Sequence, residues 1–399
     1  MSSATVMTVT SHPLDAPCGE GHVARAPRGD SPSASGPITV GVEEELLLVD
    51  PETRDLCPLG PEVVRRAARE LAGRVSTETT RYQVEIRTDP HTCLVDASEQ
   101  LRATRSAVAR AAADHGLRLI STGSPVLPQP SPLQVTPGDR YAHTIATYRF
   151  MGNEATICAC HIHIGIPDPD EAVGVSNHLR PWLPTLSALA ANSPYWAGQD
   201  TGYASWRAMI CGRLPVAGPP PYFESSAHFE ELVQGLIAVG AVTDRAGLFW
   251  DVRPSHHVPT LEVRVCDALL VPEDTILLTA VVRALAATAL HAVRSGVPAP
   301  RPAAEMLRAA GWRAARDGLA GEGVDLATGR LVPQTELVHR LLTLIAPALR
   351  HHRDLDLVRT QWTRLLAEGN GSDRQRAAFA RRSSLHGVVD HLISSTCPA

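Results

Sequence analysis

The chain has 399 residues, 20% of them charged, and a formal net charge of -5, a balance without the polybasic footprint that nucleic acid or an anionic membrane attracts. No continuous apolar run reaches the roughly 18 residues of a spanning helix, and no basic-then-apolar start marks a secretory signal. The expectations are therefore no nucleic acid, no membrane and a cytoplasmic location, with the eight scattered cysteines reduced.

Residues 1–37 are rich in Ser, Pro, Ala and Gly without apolar periodicity and predict a disordered leader. The alternation from Ile38 to Val49 predicts a strand, stopped by Asp50-Pro51. Successive side chains of a strand point to opposite faces, so Glu43 and Glu45 of Val42-Glu43-Glu44-Glu45-Leu46 share one face. Glu44 falls on the apolar face with Val40, Val42 and Leu46, where the sequence offers it only an edge ion pair. A helix follows over Pro61–Leu71, then a second alternating segment that aligns Gln83, Glu85 and Arg87. Asp96 with Glu99 resembles a capping box that opens a helix closed by Gly116, with an apolar stripe of Leu94, Leu101 and Val108. A short strand over Leu117–Ser121 and a proline-rich loop to about Pro137 come next.

The third alternating segment, Cys160-His161-Ile162-His163-Ile164, aligns His161 with His163 and places Cys158 and Cys160 on the opposite face, so one metal cannot use all four. Helices are predicted over 178–192, 224–239 and 273–295. Between the last two, Leu261-Glu262-Val263-Arg264-Val265 aligns Glu262 with Arg264, and Arg253 lies upstream in Trp250-Asp251-Val252-Arg253-Pro254. From about residue 301 the pattern is nearly continuous helix, starting at Pro302 and recurring over 334–349, 355–368 and 373–395. His256-His257 and His351-His352 read as surface pairs, and Gly369-Asn370-Gly371 as a helix start. The order predicts an α+β fold: a leader over 1–37, a curved sheet with helices on one side over 38–300, and a helical C-terminal region over 301–399.

A sheet face carrying carboxylates, imidazoles and guanidinium groups is expensive to bury unless it holds metal ions or a charged ligand. Carboxylates at i and i+2 can each bind a different divalent cation, as in sites that clamp phosphate oxygens. Oxygen ligands with one imidazole suit Mg²⁺ or Mn²⁺ better than Zn²⁺. Arg264, and Arg253 beside it, carry the planar fork that matches a phosphoryl group. All 37 basic residues are arginine, so no phosphate-loop lysine is available to a nucleotide site. Taken singly, each segment also reads as an amphipathic strand, a cross-face ion pair or a pair of core histidines. Together they predict a multi-cation anion site.

The same residues resemble the type-2 glutamate–cysteine ligases, a family of carboxylate-amine ligases. The matching stretches are Gly41-Val42-Glu43-Glu44-Glu45, Gln83-Val84-Glu85, Cys160-His161-Ile162-His163-Ile164-Gly165, Ala191-Asn192-Ser193-Pro194, Gly198-Gln199-Asp200-Thr201-Gly202-Tyr203-Ala204-Ser205, Trp250-Asp251-Val252-Arg253-Pro254-Ser255, Thr260-Leu261-Glu262-Val263-Arg264 and Asp373-Arg374-Gln375-Arg376. The resemblance implies a glutamine-synthetase-like catalytic fold with a curved antiparallel sheet, ATP, two or three Mg²⁺ ions (or Mn²⁺), and small-molecule carboxylate and amine substrates. It implies phosphorylation of a carboxylate, typically the γ-carboxylate of glutamate, followed by attack of an amine, typically that of cysteine, with weak activity toward this pair. By position, Glu43, His161 and Glu262 resemble ligands of one metal, and Glu45 and Glu85 ligands of another. Arg264 and Arg253 would hold the γ-phosphate or the carboxylate, with His163, Gln83, Asn192 and Arg207 as further pocket residues. A homodimer is the family expectation. An ATP-dependent phosphotransferase of the same fold, or a ligand-binding relative without turnover, are the alternatives.

Overall fold

Strand β1 (Val40–Val49) organises the molecule, because its ten residues bury Val40, Val42, Leu46 and Leu48 on one side and carry Glu43 and Glu45 on the other. The computed structural model describes residues 38–154 and 156–397, so the leader expectation for 1–37 lies outside the described residues. Around β1 the sheet is completed by β2 (Val75–Thr77), β3 (Gln83–Arg87), β4 (Arg118–Ile120), β5 (Ala159–Gly165), β6 (Val252–Pro254) and β7 (Thr260–Asp267). Their order is β6-β7-β5-β1-β3-β2, with β4 pairing the far end of β1, and every pairing is antiparallel.

Helices cover the apolar face. Those used below are α1 (Gly60–Leu71), α2 (Leu94–Ala113), α3 (Asp139–Tyr148), α4 (Pro169–Leu179), α5 (Leu183–Leu189), α6 (Trp206–Cys211), α7 (Ser226–Ala238), α8 (Pro272–Arg294), α9 (Ala304–Asp317), α10 (Gln334–His352), α11 (Leu355–Glu368), α12 (Gly371–Arg382) and α13 (Leu385–Thr396). Pro61 sits in the first turn of α1, where its fixed φ fits, and Val63, Ala67 and Leu71 repeat every four residues into the core. The same core takes residues from α2, α4, α5, α8, α10 and α11. Helix α8 corrects the expectation of no membrane-length apolar segment: by length and hydropathy it could span a bilayer. Here it is the buried core helix, with Arg283 donating to Asp354 and to the carbonyl of Thr92.

Several predicted boundaries are displaced for local reasons. Helix α2 starts at Leu94, and Cys93 gives it no side-chain cap, so Asp96 complements the helix dipole from within the first turn and forms no capping box. The helix expected over 178–192 begins at Pro169, capped by Asp168 accepting from the Glu171 amide at 2.9 Å, and is broken near Pro181 and Pro184. The C-terminal region is interrupted by a hairpin, Glu322–Asp325 with Arg330–Pro333. Asn370 and Asp373 form a reciprocal capping box that starts α12 and explains the Gly369-Asn370-Gly371 signal, and the helix expected over 373–395 is split into α12 and α13 by left-handed Ser383 and the cap that Ser384 gives α13.

Candidate active site on the polar face of the sheet

Register decides which polar residues of the four strands become neighbours. Glu43 lies between His161 of β5 and Arg87 of β3, Glu45 faces Glu85, and Glu262 faces His163. Two ligand clusters result. Glu43, His163 and Glu262 bring one ligand atom each within 4.8 Å of one another, and Glu45, Glu78 and Glu85 do the same. Glu78 has no precedent in the sequence reading, because it stands in the turn after β2, where no alternation marks it. His161 lies against the first cluster, its Nδ1 3.4 Å from Glu43 and 3.6 Å from Glu262.

Burial and neighbouring charges shift the titration of this floor in both directions. Burial and then the charge of Glu78 push the Glu45 carboxyl up to about 8, and burial with the charges of Glu43 and Glu78 pushes Glu85 to about 7. Burial opposes ionisation of Glu43, but His161 and His163 outweigh it and hold it well below the carboxylate range. Arg264 and Arg253 do the same for Glu262. Burial and then Arg264 lower His161 to about 4, leaving a neutral imidazole able to ligate. The Nε2 atoms of His161 and His163 are buried without a hydrogen-bond partner. Orphaned imidazole nitrogens beside carboxylate oxygens fit hard divalent cations such as Mg²⁺ or Mn²⁺.

A β-bulge delivers the arginine. Between β7 and β5 the register shifts between Val263 and Cys266, so Arg264 and Val265 together oppose His161. Arg264 then reaches Glu262 and lies 3.4 Å from His161 Nδ1. The carbonyls of Arg264 and Val265 receive Arg207, at 3.1 and 3.4 Å. Arg207 therefore braces the bulge.

Three other predicted pocket groups are spent on internal bonds. The Arg253 Nε donates to Glu262 at 2.8 Å, and its Nη1 donates to the carbonyls of Arg245, Ala246 and Leu248, so this guanidinium orients Glu262. Gln83 accepts from Thr80 and donates to the Ile157 carbonyl. Asn192 donates to the carbonyls of Ser121 and Ala268 and accepts from Gln375, which ties α12 to the interior and keeps its amide off the polar floor. His163 stays at the floor, with Nδ1 2.8 Å from the Thr260 hydroxyl. Cys160 is in the opposite core as expected, whereas Cys158, just before β5, turns to within 3.6 Å of Gln83.

Helix α3, which falls where no element was predicted, connects the two edges of the sheet. Tyr141 donates to the Thr77 carbonyl at 3.0 Å on the β2 side, while Arg140 pairs with Asp244 at 3.1 Å and Tyr148 packs on Phe249 near β6.

Residues 39–394 match the family model described as glutamate-cysteine ligase family 2. A protein of Mycobacterium sp. (strain KMS), provisionally named glutamate–cysteine ligase 2-2, is 44% identical over 360 residues, covering 90% of this chain and 98% of its own. One of the same provisional name from Frankia alni is 42% identical over 378 residues, covering 91% and 98%. Among solved structures, glutamate–cysteine ligase from Francisella tularensis in complex with AMP superposes with a TM-score of 0.65 at 14% identity, covering 89% of this chain and 87% of that one. A bifunctional glutathione synthetase from Pasteurella multocida gives 0.67 at 13% identity, covering 89% and 52%. At such identities the likeness is one of fold.

Proposed function

The chain belongs to glutamate-cysteine ligase family 2, and from that premise we propose that it is an ATP-dependent carboxylate-amine ligase that joins glutamate to an amine such as cysteine. The observation that carries this reading is the pair of ligand clusters, Glu43/His163/Glu262 and Glu45/Glu78/Glu85, on one sheet face beside Arg264. Phosphoryl transfer demands positioning and charge neutralisation more than a nucleophilic side chain, and this face supplies both.

The chemistry runs in two displacements. A carboxylate oxygen of the substrate attacks the γ-phosphorus of ATP, ADP leaves, and an acyl phosphate forms. The amine nitrogen then attacks the acyl carbon, the C–N bond forms, and phosphate departs. Glu43, His163 and Glu262, with His161 alongside, would hold one cation, and Glu45, Glu78 and Glu85 another. Bound there, divalent cations supply neutralisation of the phosphate oxygens. Arg253 keeps Glu262 oriented, and the bulge braced by Arg207 points Arg264 at the same region, where its fork suits the transferring phosphoryl group.

The reading is tested by following ADP release over a panel of carboxylates with and without amines, glutamate with cysteine included. Amine-dependent release with an amide product by mass spectrometry is expected. Release that never depends on an amine would return the site to simple phosphotransfer.

A second expectation concerns protons. With carboxyls raised to about 8 and 7, Glu45 and Glu85 retain protons near neutrality until a cation displaces them. Binding Mg²⁺ at pH 7 should therefore release on the order of one proton per ion, and affinity should rise with pH. Calorimetry in buffers of different ionisation enthalpy reads this directly, and proton uptake would contradict it.

A further inference from the structure

Asp251 is a half-buried carboxylate next to the phosphoryl arginine that nothing above employs. The β6–β7 register pairs Val252 with Val263 and Arg253 with Glu262, so Asp251 continues the ladder opposite Arg264, whose amide donates to the Asp251 carbonyl at 2.7 Å. It stands two residues before Arg253, whose guanidinium lies against Glu262, at the bend that leads into β6 beside the bulge carrying Arg264. Its charge partners agree: it feels Arg207 and Arg264. Cys211 of α6 in turn feels Asp251, Arg264 and Glu45, so Asp251 shares one neighbourhood with the arginine and the second ligand cluster.

Among the described residues the Asp251 carboxylate makes no side-chain hydrogen bond and no ion pair, and it stands outside both ligand clusters. Arg264 turns to Glu262, and Arg207 is committed to the carbonyls of the bulge. Partly exposed and without a side-chain partner, the Asp251 carboxylate is open to a ligand. Burial raises its carboxyl to about 7, where it can exchange a proton near neutrality. A phosphate or a carboxylate would be repelled by it. An ammonium group is the complementary ligand, and the ligase reading, on which this inference rests, brings one to this place.

We propose that Asp251 receives the ammonium of the amine substrate and takes its proton, making it a catalytic residue of the second displacement. One N–H proton passes to the Asp251 carboxylate, giving a neutral amine and a carboxylic acid. The nitrogen lone pair then attacks the acyl carbon of the acyl phosphate, the C–N bond forms, and the bond to the phosphate oxygen breaks. The second N–H proton passes to the departing phosphate.

The test compares two nucleophiles on the whole protein, with ATP, Mg²⁺ and glutamate: cysteine, whose amine is protonated at neutral pH, and hydroxylamine, which is largely uncharged there and needs no base. For Asp251→Asn, amide formation with cysteine should fall at least about 100-fold while hydroxamate formation changes by less than about threefold. Asp251→Glu should recover part of the cysteine reaction. Equal losses with both nucleophiles would show a merely structural role and overturn the assignment, as would an Asp251→Asn variant unaffected with cysteine. A wild-type protein that yields neither product would overturn the ligase reading and this assignment with it.

Discussion

Glu45→Gln is expected to abolish Mg²⁺-dependent turnover while leaving the fold intact or slightly firmer. Glu45 belongs to the three-carboxylate cluster with Glu78 and Glu85, and its carboxyl is raised to about 8 by burial and by Glu78. Without a cation Glu45 is held in the fold only by taking up a proton near neutrality, so a neutral isostere removes that cost. One native contact survives, because a glutamine oxygen can still accept from the Ala159 amide, which reaches Glu45 at 2.7 Å. A cation, by contrast, loses a charged ligand at the point where charge develops. Loss of one such electrostatic element lowers kcat by about 10³-fold, on the order of 4 kcal/mol. Two measurements separate the effects. Thermal melts without Mg²⁺ should match or exceed the wild type, and the rise in Tm on adding Mg²⁺ should shrink. A variant with near-normal kcat and an undiminished Mg²⁺ shift would take Glu45 out of the metal set.

Alternation was enough to bring Glu43, Glu45, Glu85, His161, His163, Glu262 and Arg264 to one face, because the period of a strand is local information. Which of them become partners is set by register between strands far apart in the chain, and alternation is silent about register. Register brings both imidazoles to Glu43 and Glu262: His161 Nδ1 lies 3.4 and 3.6 Å from them, and His163 Nε2 3.5 and 4.0 Å. Glu78 lay outside any periodic segment. Asn192, Gln83 and Arg253 make internal bonds that no local pattern announces: Asn192 meets Gln375 across 183 residues. The bulge at Arg264 and Val265 was hidden too, since bulges follow from pairing. Helix α3 went unread for a different reason, as just one of its ten residues is buried and an apolar stripe barely exists.

Glu44 is the instructive miss, and it leads to the largest expected effect on stability. The sequence allowed it an edge ion pair, yet Glu44 is wholly buried in the centre of the sheet, bonded by Arg105 at 2.7 and 2.8 Å and by the Thr275 hydroxyl at 2.6 Å. Arg105 also donates to the carbonyls of Leu269, Leu270 and Thr396, which employs its remaining N–H groups and ties α2, the β7–α8 turn and the end of α13 to β1. A signal for it existed: Arg105 stands four residues after Leu101 and three before Val108, inside the apolar stripe of α2. An arginine there needs a buried acid, and Glu44 was the acid without an account.

Arg105→Met is therefore expected to destabilise the protein by about 3–5 kcal/mol, because it strands the Glu44 charge in the core. Glu44→Leu alone strands the arginine and should be comparably damaging. The double variant Glu44→Leu/Arg105→Met removes both charges, and apolar replacement of a buried pair is often neutral or stabilising, so it should lie within about 2 kcal/mol of the wild type. Denaturant unfolding of the four proteins gives the coupling energy directly. Additive single effects would show that the pair is not the unit of stability. A double variant that regains stability yet binds Mg²⁺ more weakly would locate the pair's importance on the other face of β1, where Glu43 and Glu45 flank the residue it holds.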